Sequence, residues 1–269
     1  MAPPGLGVHA PPGLTSRPRN ASGPAPGYRS ARRLLTEEVA IVLSLSLLAS
    51  AVFAILDLLS APIAGQTRVL FRQDVELATH LASIVFGLAP VALVLHLVRR
   101  SGDGFASIGL GSPRFPGDIG WGTLAGVAVS AVGLVLYVVS VELGVNRFVV
   151  PVPPLGHWWT VPILLLGALR AALLEEVIVV GYLMRRLEQL AWTRAAVLGT
   201  SAILRGAYHL YQGWGGFVGN VALGLAFGYA FSRWRRTWPL VIAHFLVDAL
   251  AGIGYILFRG KCLFDTCLI

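Results

Sequence analysis

The sequence predicts an all-α protein, a polytopic bundle of about seven transmembrane helices. Of its 269 residues, 56% are hydrophobic and only 13% are charged, whereas soluble domains carry about 25% charged residues. The apolar residues form stretches near the roughly 20 residues that a membrane helix needs. Most arginines lie between those stretches, where membrane topology accounts for them. A single helical bundle embedded in a membrane fits all three observations.

Seven apolar stretches are the predicted spans. The fourth is long enough to tilt or break, and the fifth and sixth are short for a membrane helix. Their approximate bounds are 38–63, 76–98, 119–145, 159–184, 195–211, 216–232 and 238–258.

The chain divides into three parts around these spans. Residues 1–34 are rich in proline, glycine and arginine and bury little apolar surface, so we predict a disordered, basic cytoplasmic arm. Residues 35–258 form the bundle, and residues 259–269 form a short tail. Because the first apolar run is longer than a signal-peptide core, a membrane span is favoured there, with a cleaved leader as the alternative.

The positions of the basic residues predict an orientation with the N-terminus inside and the C-terminus outside. Fourteen arginines then lie on the cytoplasmic side: Arg17, Arg19, Arg29, Arg32, Arg33, Arg99, Arg100, Arg114, Arg185, Arg186, Arg194, Arg233, Arg235 and Arg236. Five basic residues lie on the other side: Arg68, Arg72, Arg147, Arg259 and Lys261. Because topology explains the net charge of +8, nothing independent indicates nucleic-acid binding.

Two adjacent carboxylates, Glu175 and Glu176, lie in the middle of the fourth span. A charge at that depth costs about 2.5–3.5 kcal/mol on insertion scales, so it persists where it faces a cavity or a partner. An intramembrane carboxylate pair therefore indicates a functional site. The alternative is a pair near the membrane interface, or a helix that is not embedded.

Two later spans carry ionisable residues that could meet these glutamates. Arg205 and His209 are four residues apart on the fifth span, and His244 and Asp248 are four apart on the seventh, so each pair shares a helix face. Counting about 1.5 Å per residue from the cytoplasmic ends places the groups near mid-membrane, with His209 about one turn further out.

Such a cluster suits hydrolysis by an activated water. A carboxylate in a water-accessible cavity can act as a general base. The imidazoles could bind a divalent metal such as zinc together with a carboxylate, in a site made of Glu175, His209 and His244. They could instead hydrogen-bond a developing oxyanion without a metal. No serine or cysteine is placed as a nucleophile, since Cys262 and Cys267 lie at the far terminus.

The motifs Glu175-Glu176, His209 and His244-x-x-x-Asp248 resemble the CPBP family, the CAAX protease and bacteriocin-processing intramembrane proteases related to the type II CAAX prenyl endopeptidase. The resemblance covers about residues 159–258, which it marks as a protease-like core. It implies that Glu175 activates water with support from Glu176. It also implies that His209 helps to bind the water or a metal, and that His244 with Asp248 stabilises the oxyanion or completes the site.

The sequence departs from the family pattern at two positions. Val180 stands where the family has an arginine, and Arg205 stands where it has a phenylalanine. Because Arg205 is predicted at the depth of the glutamates, we hypothesise that the guanidinium has moved to the neighbouring helix and still supplies the countercharge. The competing interpretation is that the departures mark a non-proteolytic relative.

The sequence therefore predicts an intramembrane endopeptidase of the glutamate or metalloprotease type, in the plasma (cell inner) membrane, with Arg205 added to its catalytic set. The expected partners are the lipid bilayer and a membrane-embedded or lipidated peptide substrate. Two alternatives stay open. One is a non-catalytic scaffold or immunity factor, and the other is a proton-coupled transporter, because buried carboxylates and histidines also build proton relays.

Overall fold

The computed structural model describes residues 73–146 and 155–259 continuously. It also describes isolated positions outside these ranges: Leu34, Glu37, Ile41, Ser44, Leu45, Val52, Phe53, Leu56, Pro153, Cys262, Leu263, Thr266 and Cys267. The predicted arm, apart from Leu34, and most of the first predicted span lie outside the described residues.

The second predicted span consists of two consecutive helices, α1 (Gln73–Gly87) and α2 (Ala89–Arg100). The break coincides with Pro90 in the first turn of α2, where proline removes a backbone donor and restricts the preceding residue. A 3₁₀ turn, Phe105–Ile108, follows.

Helix α3 (Gly117–Glu142) is the third predicted span and runs 26 residues without a break. Its first turn is tied to the segment before the last helix, because Arg236 Nε donates to the Asp118 carboxylate at 2.7 Å. The backbone N–H of Arg114 donates to the same carboxylate at 2.7 Å. This ion pair links the start of α3 to the segment that precedes the last helix.

The fourth predicted span is helical throughout, but its hydrogen-bond pattern changes twice. Helix α4 (Thr160–Glu175) passes into a π-helix (Glu176–Leu183) and then into α5 (Met184–Gln189). The change from α to π pattern falls between the two adjacent glutamates. Widened turns of this kind occur frequently at functional sites.

The last three helices are α6 (Arg194–Tyr208), α7 (Trp214–Trp234) and α8 (Trp238–Phe258). The side chain of Thr193 caps α6 by accepting from the Ala196 backbone N–H at 3.3 Å. A 3₁₀ turn, Leu210–Gln212, joins α6 to α7. The tail holds an antiparallel pair of two-residue strands, β1 (Cys262–Leu263) and β2 (Thr266–Cys267).

The described residues contain four helical stretches long and apolar enough to cross a membrane: Asp74–Arg100, Gly117–Glu142, Trp214–Trp234 and Trp238–Phe258. The chain is thus an all-α integral membrane protein, as predicted. The number of seven spans and the N-in, C-out orientation stay predictions. Helix α6 has 15 residues and is about 22 Å long, shorter than the roughly 30 Å hydrocarbon core.

Glycines let two pairs of helices approach closely. A Cβ on Gly126 of α3 would lie 3.0 Å from the Ala243 carbonyl oxygen of α8. A Cβ on Gly224 of α7 would lie 2.8 Å from Ala202 Cα of α6. Both glycines belong to Gly-x-x-x-Gly motifs, the pattern that membrane helices use at close contacts.

Exposed tryptophans mark the two membrane interfaces along α7. Trp214 begins this helix with 69% of its surface exposed, and Trp234 ends it with 61% exposed. Twenty residues separate them, which is about 30 Å of helix and equals the thickness of the hydrocarbon core. Trp121 at the start of α3 stacks on Trp234 with ring centroids 6.4 Å apart. Since tryptophan prefers the headgroup level, the two ends of α7 are expected at the two membrane interfaces.

Candidate active site

The centre of the candidate site is Glu176, the first residue of the π-helix, which is completely buried. Its Oε1 atom accepts from Arg205 Nη1 at 2.8 Å and lies 2.7 Å from His244 Nδ1. Helices α4, α6 and α8 are therefore linked at one carboxylate oxygen. Its second oxygen, Oε2, is buried without a hydrogen-bond partner among the described residues.

Arg205 lies between the two glutamates, as the relocated countercharge requires. Its side chain is 1% exposed, and Nη2 lies 3.4 Å from Glu175 Oε2. The guanidinium also covers the ring of Phe227 at 5.3 Å from the centroid, a favourable arrangement for a desolvated cation. A planar fork can serve two carboxylates at once, which a lysine ammonium does less well.

The position equivalent to the family arginine holds a packed apolar side chain, that of Val180. Val180 is 1% exposed and belongs to an apolar cluster that joins five helical elements, the π-helix, α5, α6, α7 and α8. The buried members of this apolar plug are Val180, Met184, Leu187, Val197, Phe227, Phe231, Leu240 and Ala243.

The contacts of His244 define its tautomer. A carboxylate oxygen at 2.7 Å from Nδ1 requires a proton on that nitrogen, so Nδ1–H donates to Glu176. Arg205 Nη2 lies 3.1 Å from the same nitrogen, so the guanidinium and the imidazole are in direct contact beside Glu176. The other ring nitrogen, Nε2, lies 3.5 Å from Asp248 Oδ2. Asp248 thus orients the ring from the opposite side.

Glu175 differs from its neighbour in being accessible. Its side chain is 14% exposed, and its Oε2 accepts a hydrogen bond from the Tyr208 hydroxyl at 2.8 Å. Tyr208 was not among the predicted site residues. The signal was present in the sequence, because Tyr208 lies three residues after Arg205 and therefore on the same helix face.

His209 lies beside the cluster rather than in it. It is the residue at which α6 ends, so its ring does not continue the face that carries the Arg205 side chain. Instead, Nδ1–H donates to the Arg205 backbone carbonyl at 2.9 Å. The ring packs between Tyr208 and Tyr211, with centroid distances of 4.8 and 6.2 Å. Among the described residues, no carboxylate lies within ion-pairing distance of this histidine.

The site lies level with the middle of α7. A Cβ on Gly224 would be 3.3 Å from Arg205 Cδ, so the two residues lie at one level. Gly224 is ten residues from Trp214 and ten from Trp234, which is about 15 Å from either interface. The depth of Arg205 in the bilayer stays a prediction.

The predicted metal set does not form a compact group. Within the described ranges, no three His, Cys, Asp or Glu side chains are arranged to hold a metal ion. His244 directs Nδ1 at Glu176 and His209 lies beside the cluster, so Glu175, His209 and His244 do not converge on one point. The zinc site stays a prediction, and the chemistry below uses no metal.

Fold and site together define a helical integral membrane protein with a buried Glu-Arg-His network. One partly exposed glutamate, Glu175, lies next to this network. Residues 157–250 match the family model described as type II CAAX prenyl endopeptidase Rce1-like. This match, over roughly a third of the chain, confirms the predicted resemblance to the CAAX protease family. The family supports a peptide hydrolase in general. Neither a curated protein nor a solved structure matches the chain.

Tyr208 supplies a test of the site geometry. We expect Tyr208→Phe to lower kcat about 10-fold with little change in KM, because it removes the donor that orients Glu175 but keeps the ring. Tyr211→Phe, which changes a neighbouring tyrosine away from the glutamates, is the control. A wild-type kcat in Tyr208→Phe, or an equal loss in Tyr211→Phe, would contradict the positioning role.

Proposed function

We propose that the protein is an intramembrane endopeptidase in which Glu175 activates a water molecule. The observation that carries this proposal is the difference between the two glutamates. Glu176 is fully buried and used by Arg205 and His244, whereas Glu175 is partly exposed and has one oxygen on Tyr208. Adjacent carboxylates in unlike environments are suited to unlike tasks.

In the proposed reaction, Glu175 takes a proton from water as the water oxygen attacks the scissile carbonyl carbon. The resulting oxyanion needs a hydrogen-bond donor. His209 suits this role when protonated, because Nδ1–H is already bonded to the Arg205 carbonyl and Nε2–H would be the free donor. Glu175 then returns its proton to the leaving amine as the carbon–nitrogen bond breaks. The products are a carboxylate and an amine, so the atoms of one water are consumed.

The remaining residues hold this geometry. Arg205 lies beside both glutamates and offsets their charge in a largely apolar environment. His244 and Asp248 fix Glu176 from the opposite side. A divalent metal at Glu175 and the histidines, the predicted alternative, would supply a Lewis acid for the same water.

The proposed substrate is a membrane-embedded or lipidated peptide, and the proposed location is the plasma (cell inner) membrane. The depth of the site supports a peptide bond that lies within the bilayer. A non-catalytic scaffold or immunity factor is the competing function, because a closed ion network can serve stability alone. A proton-coupled transporter is less well supported, since the site groups meet in one cluster rather than along a path across the bilayer.

The direct test is cleavage by the purified full chain in lipid nanodiscs with a library of membrane peptides, read by mass spectrometry. We expect cleavage that is absent with Glu175→Gln and that persists after chelation, because the site needs no metal in the proposed reaction. Loss of cleavage on chelation, restored by zinc, would favour the metalloprotease alternative. No cleavage of any peptide, with a correctly folded protein, would favour the scaffold.

A further inference from the structure

The surroundings of the ion network differ sharply between the two ends of the bundle. The Thr160 end is the end of the bundle at which α4 begins and α8 ends. The arginine-rich end is the opposite end, at which α6 and α8 begin. Gly252 of α8 contacts Leu164 of α4 at the Thr160 end, and the Asp118–Arg236 ion pair lies at the arginine-rich end.

The arginine-rich side of the network is closed. The apolar plug defined above packs against the network from that side: Val180 follows Glu176, Ala243 precedes His244, and Val197 precedes Arg205. Every buried member of the plug is at most 7% exposed. A close-packed apolar layer of this kind leaves no room for water or for a peptide.

Among the described residues, the Thr160 side of the network is polar and partly exposed. Each buried member of the network has an accessible neighbour displaced toward that end. Glu175 precedes Glu176, and its side chain is 14% exposed. Tyr208 follows Arg205 by one turn and is 37% exposed. Asp248 follows His244 by one turn, with 39% of its side chain exposed. A carboxylate so exposed at membrane depth needs a water-filled opening.

The backbone at this end supports an opening as well. The helix bearing Tyr208 ends there, and a 3₁₀ turn, Leu210–Gln212, follows it. A pocket of about 460 Å³ adjoins this segment and is lined by Gly144, Val145, Asn146, Leu210, Gly213 and Trp214. Its volume lies in the range of small-ligand sites.

We propose that water and the peptide substrate reach Glu175 from the Thr160 end, between Tyr208 and Asp248. The substrate's identity as a peptide rests on the proposed function. The side of access does not, because it follows from packing and exposure alone. With the predicted orientation, the entrance faces the exterior half of the membrane rather than the cytoplasm.

Cysteine accessibility tests the side of access without measuring cleavage. The starting protein carries Cys262→Ser and Cys267→Ser. Single cysteines replace Tyr208 or Asp248, and the full chain is reconstituted in vesicles. Two further variants calibrate the sides: Trp158→Cys, at a position 80% exposed at the Thr160 end, and Arg194→Cys at the other end. A charged, membrane-impermeant thiol reagent is added to one side at a time.

We expect Tyr208→Cys and Asp248→Cys to react at least 10-fold faster from the side that labels Trp158→Cys. Val180→Cys, inside the plug, should react from neither side. The proposal would be overturned by faster labelling from the side that labels Arg194→Cys. It would also be overturned if neither Tyr208→Cys nor Asp248→Cys were labelled from either side. Because Tyr208 and Asp248 lie on different helices, the second variant decides if the first does not fold. Labelling as expected without any peptide cleavage would overturn the proposed function alone.

Discussion

Glu175→Gln is expected to abolish peptide cleavage while the protein still folds and inserts. The amide has the shape of the carboxylate but cannot take a proton from water, and loss of a general base costs about 10²- to 10⁴-fold. Stability should change little, because the glutamine oxygen still accepts from Tyr208 and Arg205 keeps its closer partner, Glu176. The measurement is kcat/KM with a membrane peptide, together with the thermal midpoint of the purified protein.

Two matched variants make this result specific. Glu188→Gln removes a partly buried carboxylate of α5, away from the site, that pairs with Arg235 at 2.7 Å, and it should leave cleavage unchanged. Glu176→Gln should instead lower stability, since it leaves the buried Arg205 guanidinium with a weaker partner. Cleavage by Glu175→Gln within a few-fold of the wild type would assign the base to another residue.

The relative positions of the polar residues along their helices could be predicted from the sequence, because the rise per residue of a helix is constant. Counting residues from Arg194 places Arg205 about 16 Å into the bundle, and the structure brings it to both glutamates. The family resemblance was predictable for the same reason: it depends on residues at fixed spacing within helices. The all-α membrane class followed from composition.

Positions where the helix pattern changes could not be predicted. The π-helix begins at Glu176, and the sequence around this residue contains neither a proline nor a pair of glycines that would predict a change in the helix. His209 was expected on the face of Arg205 by its spacing of four residues, but that rule holds only while the helix continues. The helix ends at Tyr208, and Gly213 takes a φ of +104° in the turn that follows, so His209 packs between tyrosines instead.

Arg205→Leu tests whether the displaced guanidinium holds the site together. Arg205 is 1% exposed and contacts Glu175, Glu176 and His244. Removing one partner of a buried ion pair typically costs about 3–5 kcal/mol, because the remaining charge is left uncompensated. The two adjacent carboxylates would then repel, and one would take up a proton. We therefore expect a large loss of stability and, in the protein that remains folded, cleavage reduced at least 100-fold.

The comparison with a second arginine separates this effect from the loss of any intramembrane cation. Arg170 lies on α4, and among the described residues its polar contact is the Ser83 carbonyl at 3.5 Å. Arg170→Leu should therefore cost less stability than Arg205→Leu. Arg205→Lys keeps the charge but loses the planar fork, so it should recover part of the stability and less of the activity. Wild-type stability and cleavage in Arg205→Leu would show that the network needs no countercharge from α6, and would favour the non-catalytic function.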